Sequence, residues 1–438
     1  MRKPTTGQWG TPEMDASFRE LLWAFFRIGI LSFGGPAAQI AVMHKELVED
    51  RPWLSEAQFL NALSFCMLLP GPEAMQLATY CGWRLRGVPG GLIAGLLFVL
   101  PGALVMAALA GLYVWLGQVP LVEAVFLGVK AAVVVIVLQA LLKVANKALR
   151  SLDRWVLAGL SFLAIFAFAL PFPLIIATAA LYGWLRGGPG AEAPAPLSDR
   201  SDLRASSPSA GLVRTVALWG ALWWAPIGVL WLTGQELLTQ VGLFFSKLAI
   251  VTFGGAYAVL AYMTQEVVQV QGWISTQQMM DGLGLAETTP GPLILVTEFV
   301  GFLAGYGAGG WGLALAAALL TVWVTFVPCF LWIFAGAPYI EWISTRPRLA
   351  GALQAITAAV VGVILNLSLW FATHVFFAQV NTTQLGPLHL LSPELATLDV
   401  TAALLAVIAG VLMLWLRVGM ISTLLIVAAL GVAGSYFV

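Results

Sequence analysis

Long apolar runs alternate with short glycine- and proline-rich punctuation along the whole chain. Runs at 92–116, 121–142, 155–170, 212–232, 312–334, 398–416 and 419–437 carry almost no charge. A helix needs ~20 such residues to cross the hydrocarbon core, so the pattern predicts an all-α polytopic membrane protein. Ten-residue segments of alternating polarity, the mark of a transmembrane barrel, are absent. Shorter apolar pieces at 37–50, 55–69, 257–270 and 275–289 are too short to cross alone. They predict hairpins or discontinuous helices whose irregular backbone is covered by protein.

The shorter pieces belong to a repeat. Residues 33–72 and 253–292 align without a gap at a shift of 220, and fifteen of the forty positions are identical. Among the identities are Phe33/Phe253, Gly34/Gly254, Gly35/Gly255, Glu46/Glu266, Trp53/Trp273, Gln58/Gln278 and the Pro-Gly-Pro at 70–72 and 290–292. Hydrophobic segments interrupted by Gly and Pro at corresponding places in two halves point to a transporter site.

Composition agrees with the membrane assignment: 60% of residues are hydrophobic and 10% charged, against about 25% charged in soluble domains. The net charge is zero and favours no class of partner. The segment MRKPTTGQWGTPEMDAS has no apolar core before a small-residue cleavage site, so no removable signal peptide is expected. Cys66, Cys81 and Cys329 are isolated in apolar segments and read as small buried hydrophobes rather than a disulfide or metal framework.

Five stretches follow: a tail over 1–17, a first membrane repeat over 18–186, a Pro-, Gly- and Ser-rich linker over 187–211, one unpaired apolar helix over 212–234, and a second repeat over 235–438. Basic residues near helix ends mark the cytoplasmic side. In the first half they sit at Arg84/Arg86, Lys143/Lys147/Arg150/Arg154 and Arg186, whereas the matching second-half loops, 306–311, 380–397 and the C-terminus, have none. There the basic residues are Arg346/Arg348 and Arg417, which match uncharged first-half turns. The swap predicts two halves of inverted topology, helix 212–234 supplying the odd crossing, with the N-terminus cytoplasmic and the C-terminus outside.

Candidate chemistry gathers at the breaks. Arg27 and Lys247, repeat partners six residues before each Phe-Gly-Gly, are membrane-embedded cations and candidates to bind an anion. Pairing with a buried carboxylate or snorkelling to the interface is the plainer use of such residues. Gly34, Gly35, Gly254 and Gly255 permit unusual backbone. Pro70-Gly71-Pro72 and Pro290-Gly291-Pro292 read as starts of half-helices, with Pro72 and Pro292 in the first turn. Helices that begin inside the membrane aim free N–H groups and a positive dipole end at the midplane, and four together would cradle an oxyanion. Glu46, Glu73, Glu266, Glu287 and Glu298 are proton-coupling candidates, since desolvation favours the neutral carboxyl. GYGAGG at 305–310 follows no strand, no P-loop is present, and His44, His374 and His389 lack metal spacing. No cofactor, metal or ATP site is expected.

At FGGP (33–36), the His-Lys-Glu run 44–46, Trp53, LLPGPEAMQLATYCGWRLRG (68–87) and Pro101-Gly102, the chain resembles the chromate ion transporter family. The resemblance extends over both halves, as in that family's two-domain members. It implies a bacterial inner-membrane exporter that confers chromate resistance, runs on the proton motive force, and has sulfate as the related oxyanion. Motif residues carry over onto Gly34, Gly35, Pro36, Pro70, Gly71, Pro72, Gln76, Gly82 and Arg84. The second half departs from the pattern with Ala256 opposite Pro36, Ala304 opposite Arg84, and Thr288-Thr289 before its Pro-Gly-Pro. Expected partners are chromate or a sulfate-like oxyanion, protons and the lipid bilayer, with a homodimer allowed and no nucleic acid. The rivals are a transporter of another oxyanion, a lipid-phosphate flippase, which would also use membrane-entering hairpins, and a chromate reductase. No flavin, haem or metal signature supports the last, so a non-enzyme is expected.

Overall fold

The computed structural model describes residues 17–116, 119–187, 209–253, 255–337, 346–386 and 388–435. The tail read over 1–17 and the linker read over 187–211 lie almost entirely outside the described residues, as does Gly254. The fold is helical, and among the described residues five helices, at 73–116, 120–148, 211–232, 293–336 and 347–376, are long and apolar enough to cross a membrane.

Helix α1 (Phe18–Leu31) opens on a capping box in which Ser17 and Glu20 satisfy each other's backbone N–H groups. It buries Leu21, Ala24, Phe25 and Ile28 on one face. After a glycine break come α2 (Gly35–His44), a π-helical turn (Lys45–Asp50) and α3 (Glu56–Cys66). The second half repeats these parts as α9 (Glu236–Val251), α10 (Ala256–Thr264), a π-helical turn (Gln265–Val270) and α11 (Thr276–Thr288). Even the capping box recurs, at Ser55/Gln58 and Ser275/Gln278.

Each half then enters a long helix with two arms. In α4 (Glu73–Leu116) the arms meet at Arg86-Gly87, where Gly87 has φ +62°. In α12 (Val296–Gly336), preceded by a 3-10 turn at Leu293–Leu295, they meet at Gly309-Gly310, where Gly310 has φ +72°. Positive φ is open to glycine at little cost, so the sharp reversals fall where the sequence places a short arm before a spanning one.

Helix α5 (Pro120–Ala148) and α13 (Pro347–Phe376) pack against each other at the centre. The hairpin of α6 (Leu152–Phe166) and α7 (Phe172–Arg186) packs on α13, while α14 (Val400–Gly410) and α15 (Met420–Ser435) pack on α5. Each half's closing hairpin thus covers the other half's spanning helix. Glycines permit the close crossings: a Cβ on Gly183 would stand 2.2 Å from the Gly351 carbonyl oxygen. Between the repeats, α8 (Ser209–Leu232) lies against α9 and α12.

One segment read as loop is structured. Residues 380–397 hold an antiparallel hairpin of β1 (Val380–Leu385) and β2 (Leu388–Pro393). The Thr- and Leu-rich run suits a pleated ladder, and Gly386 at φ +63° makes the turn.

Candidate functional site

The four breaks meet at one place. Each of the helices leading in ends where a hydroxyl folds back on its own turn: Ser32 Oγ donates to the Ile28 carbonyl at 2.6 Å, and its repeat partner Thr252 Oγ1 donates to Leu248 at 2.6 Å. The freed carbonyls of these two residues then accept across the halves. Gly71 N–H donates to Thr252 O at 2.8 Å, and Gly291 N–H donates to Ser32 O at 2.8 Å. The two bonds are interchanged by the 220-residue shift. Gly71 (φ +118°) and Gly291 (φ +87°) hold conformations that a side chain would strain.

Further contacts lock the junction. Gln39 Nε2 donates to Gly291 O at 2.6 Å, and Gln76 Nε2 folds back to Pro70 O at 2.6 Å. Gly102 on the long arm of α4 lies so near Pro290 that a Cβ there would stand 2.2 Å from its carbonyl oxygen.

Inside the junction is a cavity of about 20 Å³ lined by Pro36, Gln39, Pro72, Glu73, Thr252, Gly255 and Pro292, among others. That is room for about one water, so a tetrahedral oxyanion fits only if the first turns move apart. The lining comes from the opening turns of α2, α4, α10 and the 3-10 turn at Leu293–Leu295. No side chain caps the N-termini at Gly34, Gly255 or Pro292. Four positive dipole ends therefore surround one small space. Pro36 is a first-turn proline. Pro72 and Pro292, read as such, instead precede the first helical residue, and Pro292 has extended ψ of 134°. The reason is that each Pro-Gly-Pro turns at its positive-φ glycine to hand that N–H to the other half's carbonyl before the helix begins.

The cations lie elsewhere. Arg27, half exposed, pairs with Glu46 at 2.9 Å, and the buried Glu46 is also held by Arg51. Lys247 is exposed, with Nζ 5.4 Å from the Tyr262 ring centroid. Neither lines the cavity, so the structure does not bring them together on one anion. Glu46 holds Arg27 in place while sharing its charge with Arg51, and Lys247 has an aromatic face and an exposed position. Arg84 lies beside Tyr80, most of the short arm away from the break.

Of the acidic candidates, only Glu73 lines the cavity, within the field of Lys143 and Lys147. Glu287 is buried and accepts from the Tyr257 hydroxyl at 2.7 Å. Glu298 is buried with Oε2 unpartnered. Glu266 is bonded by Gln271 Nε2 at 3.0 Å. Sequence reasoning missed Gln39, the Ser32/Thr252 pair, and a buried cluster of Tyr113, Lys130 and Asp281. Extending the repeat by one residue upstream reaches Ser32 and Thr252.

The whole arrangement has relatives of known name. No solved structure matches the chain. A chromate transport protein of Pseudomonas aeruginosa is 31% identical over 95% of this chain and 92% of its own length. A chromate transport protein of Cupriavidus metallidurans is 30% identical over 80% of this chain and 81% of its own length. A probable chromate transport protein of Synechococcus elongatus is 31% identical over 80% and 83%. Residues 19–184 and 239–435, which hold all four breaks, match the chromate transporter family, and this multi-pass membrane protein belongs to it.

Proposed function

We propose that this chain carries chromate, with sulfate-like oxyanions as competitors, out of the cell across a bacterial inner membrane, driven by the proton motive force. The observation that carries this reading is the convergence of four helix starts on one cavity. Free N–H groups and dipole ends suit a tetrahedral dianion with no cofactor and no chemical conversion. Gly34, Gly35, Pro36, Pro70, Gly71, Pro72, Gln76, Gly255, Pro290, Gly291 and Pro292 shape the cradle. Transport would proceed by alternating access, as the two halves rock about the exchanged bonds at Gly71 and Gly291.

A lipid-phosphate flippase is the reading to separate from this one. In proteoliposomes, labelled chromate should move, sulfate should slow it, and a fluorescent phospholipid should stay in its leaflet. Lipid scrambling without chromate flux would reverse the assignment.

The reading includes inverted halves, supported by the swapped basic loops; the interchange of the cross-bonds fits a two-fold relation between the halves. Single cysteines at 143–154 and 346–348 should then be labelled only from the cytoplasm, and those at 380–397 only from outside. Labelling of 380–397 from the cytoplasm would defeat the inversion.

Arg27 and Lys247 act at a distance, drawing the anion toward its cradle from the two faces, and Arg84 adds to the basic field of one face. Arg27→Gln and Lys247→Gln should each slow chromate capture by roughly 3–10-fold at low salt and much less at high salt, because long-range fields act on rates and are screened. A salt-independent loss would place them in the site itself.

A further inference from the structure

Asp281 on α11 is buried, and Lys130 Nζ on α5 stands 3.1 Å from its Oδ1. The Tyr113 hydroxyl, near the end of α4, donates to Oδ2 at 2.8 Å. This is a charged cluster inside an apolar bundle, and it joins the second half's hairpin to two spanning helices of the first. Its repeat partner is Asn61, so the link exists once only. Lys130 lies ten residues from the start of α5, ~15 Å at the helical rise. A buried pair of this kind seldom adds net stability over apolar packing, and intramembrane ionisable groups mark ion pathways by default.

The surroundings give the cluster a direction. Besides Lys130 and Tyr113, the ionisable group acting on Asp281 is Glu123, exposed in the first turn of α5. From α12, the Phe299 ring packs against Tyr113 and Gly282, and the 3-10 turn beside it is Leu-Ile-Leu. Glu73, at the cavity, is instead in the field of Lys143 and Lys147, at the other end of the same helix. Thirteen residues separate Lys130 from Lys143, ~20 Å along α5. The two carboxylates therefore address opposite ends of one spanning helix.

We propose that Asp281, held by Lys130 and Tyr113, is a proton-binding site reached from the face where α5 begins, past Glu123. Its carboxylate takes one proton from water on that face, and the ion pair with Lys130 is lost. The hairpin α10–α11 is released, and with it the break at 290–292, nine to eleven residues further on at its far end. Proton arrival on one face is thereby tied to the parting of the first turns at the cavity. This rests on the proton-driven reading above.

The test compares two fluxes of labelled chromate in proteoliposomes: exchange at equal pH, and accumulation under an imposed pH gradient. The double variant Asp281→Asn/Lys130→Gln leaves no lone buried charge, and it guards against misfolding of Asp281→Asn alone. Both should keep exchange within about twofold and lose at least about tenfold of the gradient-driven accumulation. Tyr113→Phe should keep driven flux but shift the pH of its midpoint. Driven accumulation at the wild-type level in the double variant would overturn the assignment, as would an equal loss of both fluxes, which marks a structural tie. A wild-type protein that moves chromate but ignores the gradient would overturn the proton-driven reading as well, so the two failures are told apart by the wild-type arm.

Discussion

Replacing Gly102 by Ala is expected to cut chromate flux roughly fivefold to a hundredfold, from overpacking of ~1–3 kcal/mol at a rate of 1.4 kcal/mol per decade. The added methyl would stand 2.2 Å from the Pro290 carbonyl oxygen and 2.6 Å from Leu295 Cδ1. Backbone cannot yield there without moving the 290–292 turn, and Gly291 would lose its bond to Ser32. The disturbance therefore reaches the cradle although Gly102 touches no ion. Gly220→Ala is the control, since a Cβ at Gly220 meets nothing within 4 Å. Both variants should elute as the wild type does in detergent. Equal flux through Gly102→Ala and Gly220→Ala would show that the junction does not shape the transport path.

Glu73→Gln should tighten chromate binding at neutral pH by at least roughly tenfold and remove most of its pH dependence. Glu73 is the carboxylate in the lining of the cavity. Two like unit charges 4 Å apart interact by about 4 kcal/mol at an effective dielectric of 20, so an ionised Glu73 competes with a dianion for the same dipole ends. Protonation removes that competition: binding to the wild type should strengthen as pH falls, and the Gln variant should hold the strong level throughout. The same variant should lose driven flux, because anion binding is no longer linked to proton binding at its site. Titration calorimetry of chromate across pH would check this. A Glu73→Gln protein whose affinity still follows pH as the wild type does would assign the carboxylate to the scaffold.

The breaks were legible in the sequence because glycine and proline act locally. Gly34, Gly71, Gly255 and Gly291 have positive φ where the repeat places them, and a repeated irregularity is hard to produce by chance. The bonds between the breaks were not legible. Gly71 and Thr252 are brought together by the packing of two halves, and no local pattern specifies which carbonyl receives which N–H. The fate of Arg27 was open for a similar reason: several carboxylates lay within the apolar segments, and only the return path of α2 decides that Glu46 reaches it. Asp281 was hidden by the repeat itself, which sets Asn61 opposite it. Its partner Lys130 comes from a helix outside the forty-residue unit. The β hairpin at 380–393 is hidden in the sequence because its run is short and lies between two helical signals.

The central claim is that the converging helix starts hold the transported ion. The most direct measurement is a structure of the purified protein with chromate bound, with the metal located by its anomalous scattering at the chromium edge. The account predicts one chromium position among the first turns of α2, α4, α10 and the Leu293–Leu295 turn, with Gly71 and Gly291 beside it. A chromium position at Arg27 and Glu46, at Lys247, or in the groove between α6 and α7, with the junction empty, would contradict it.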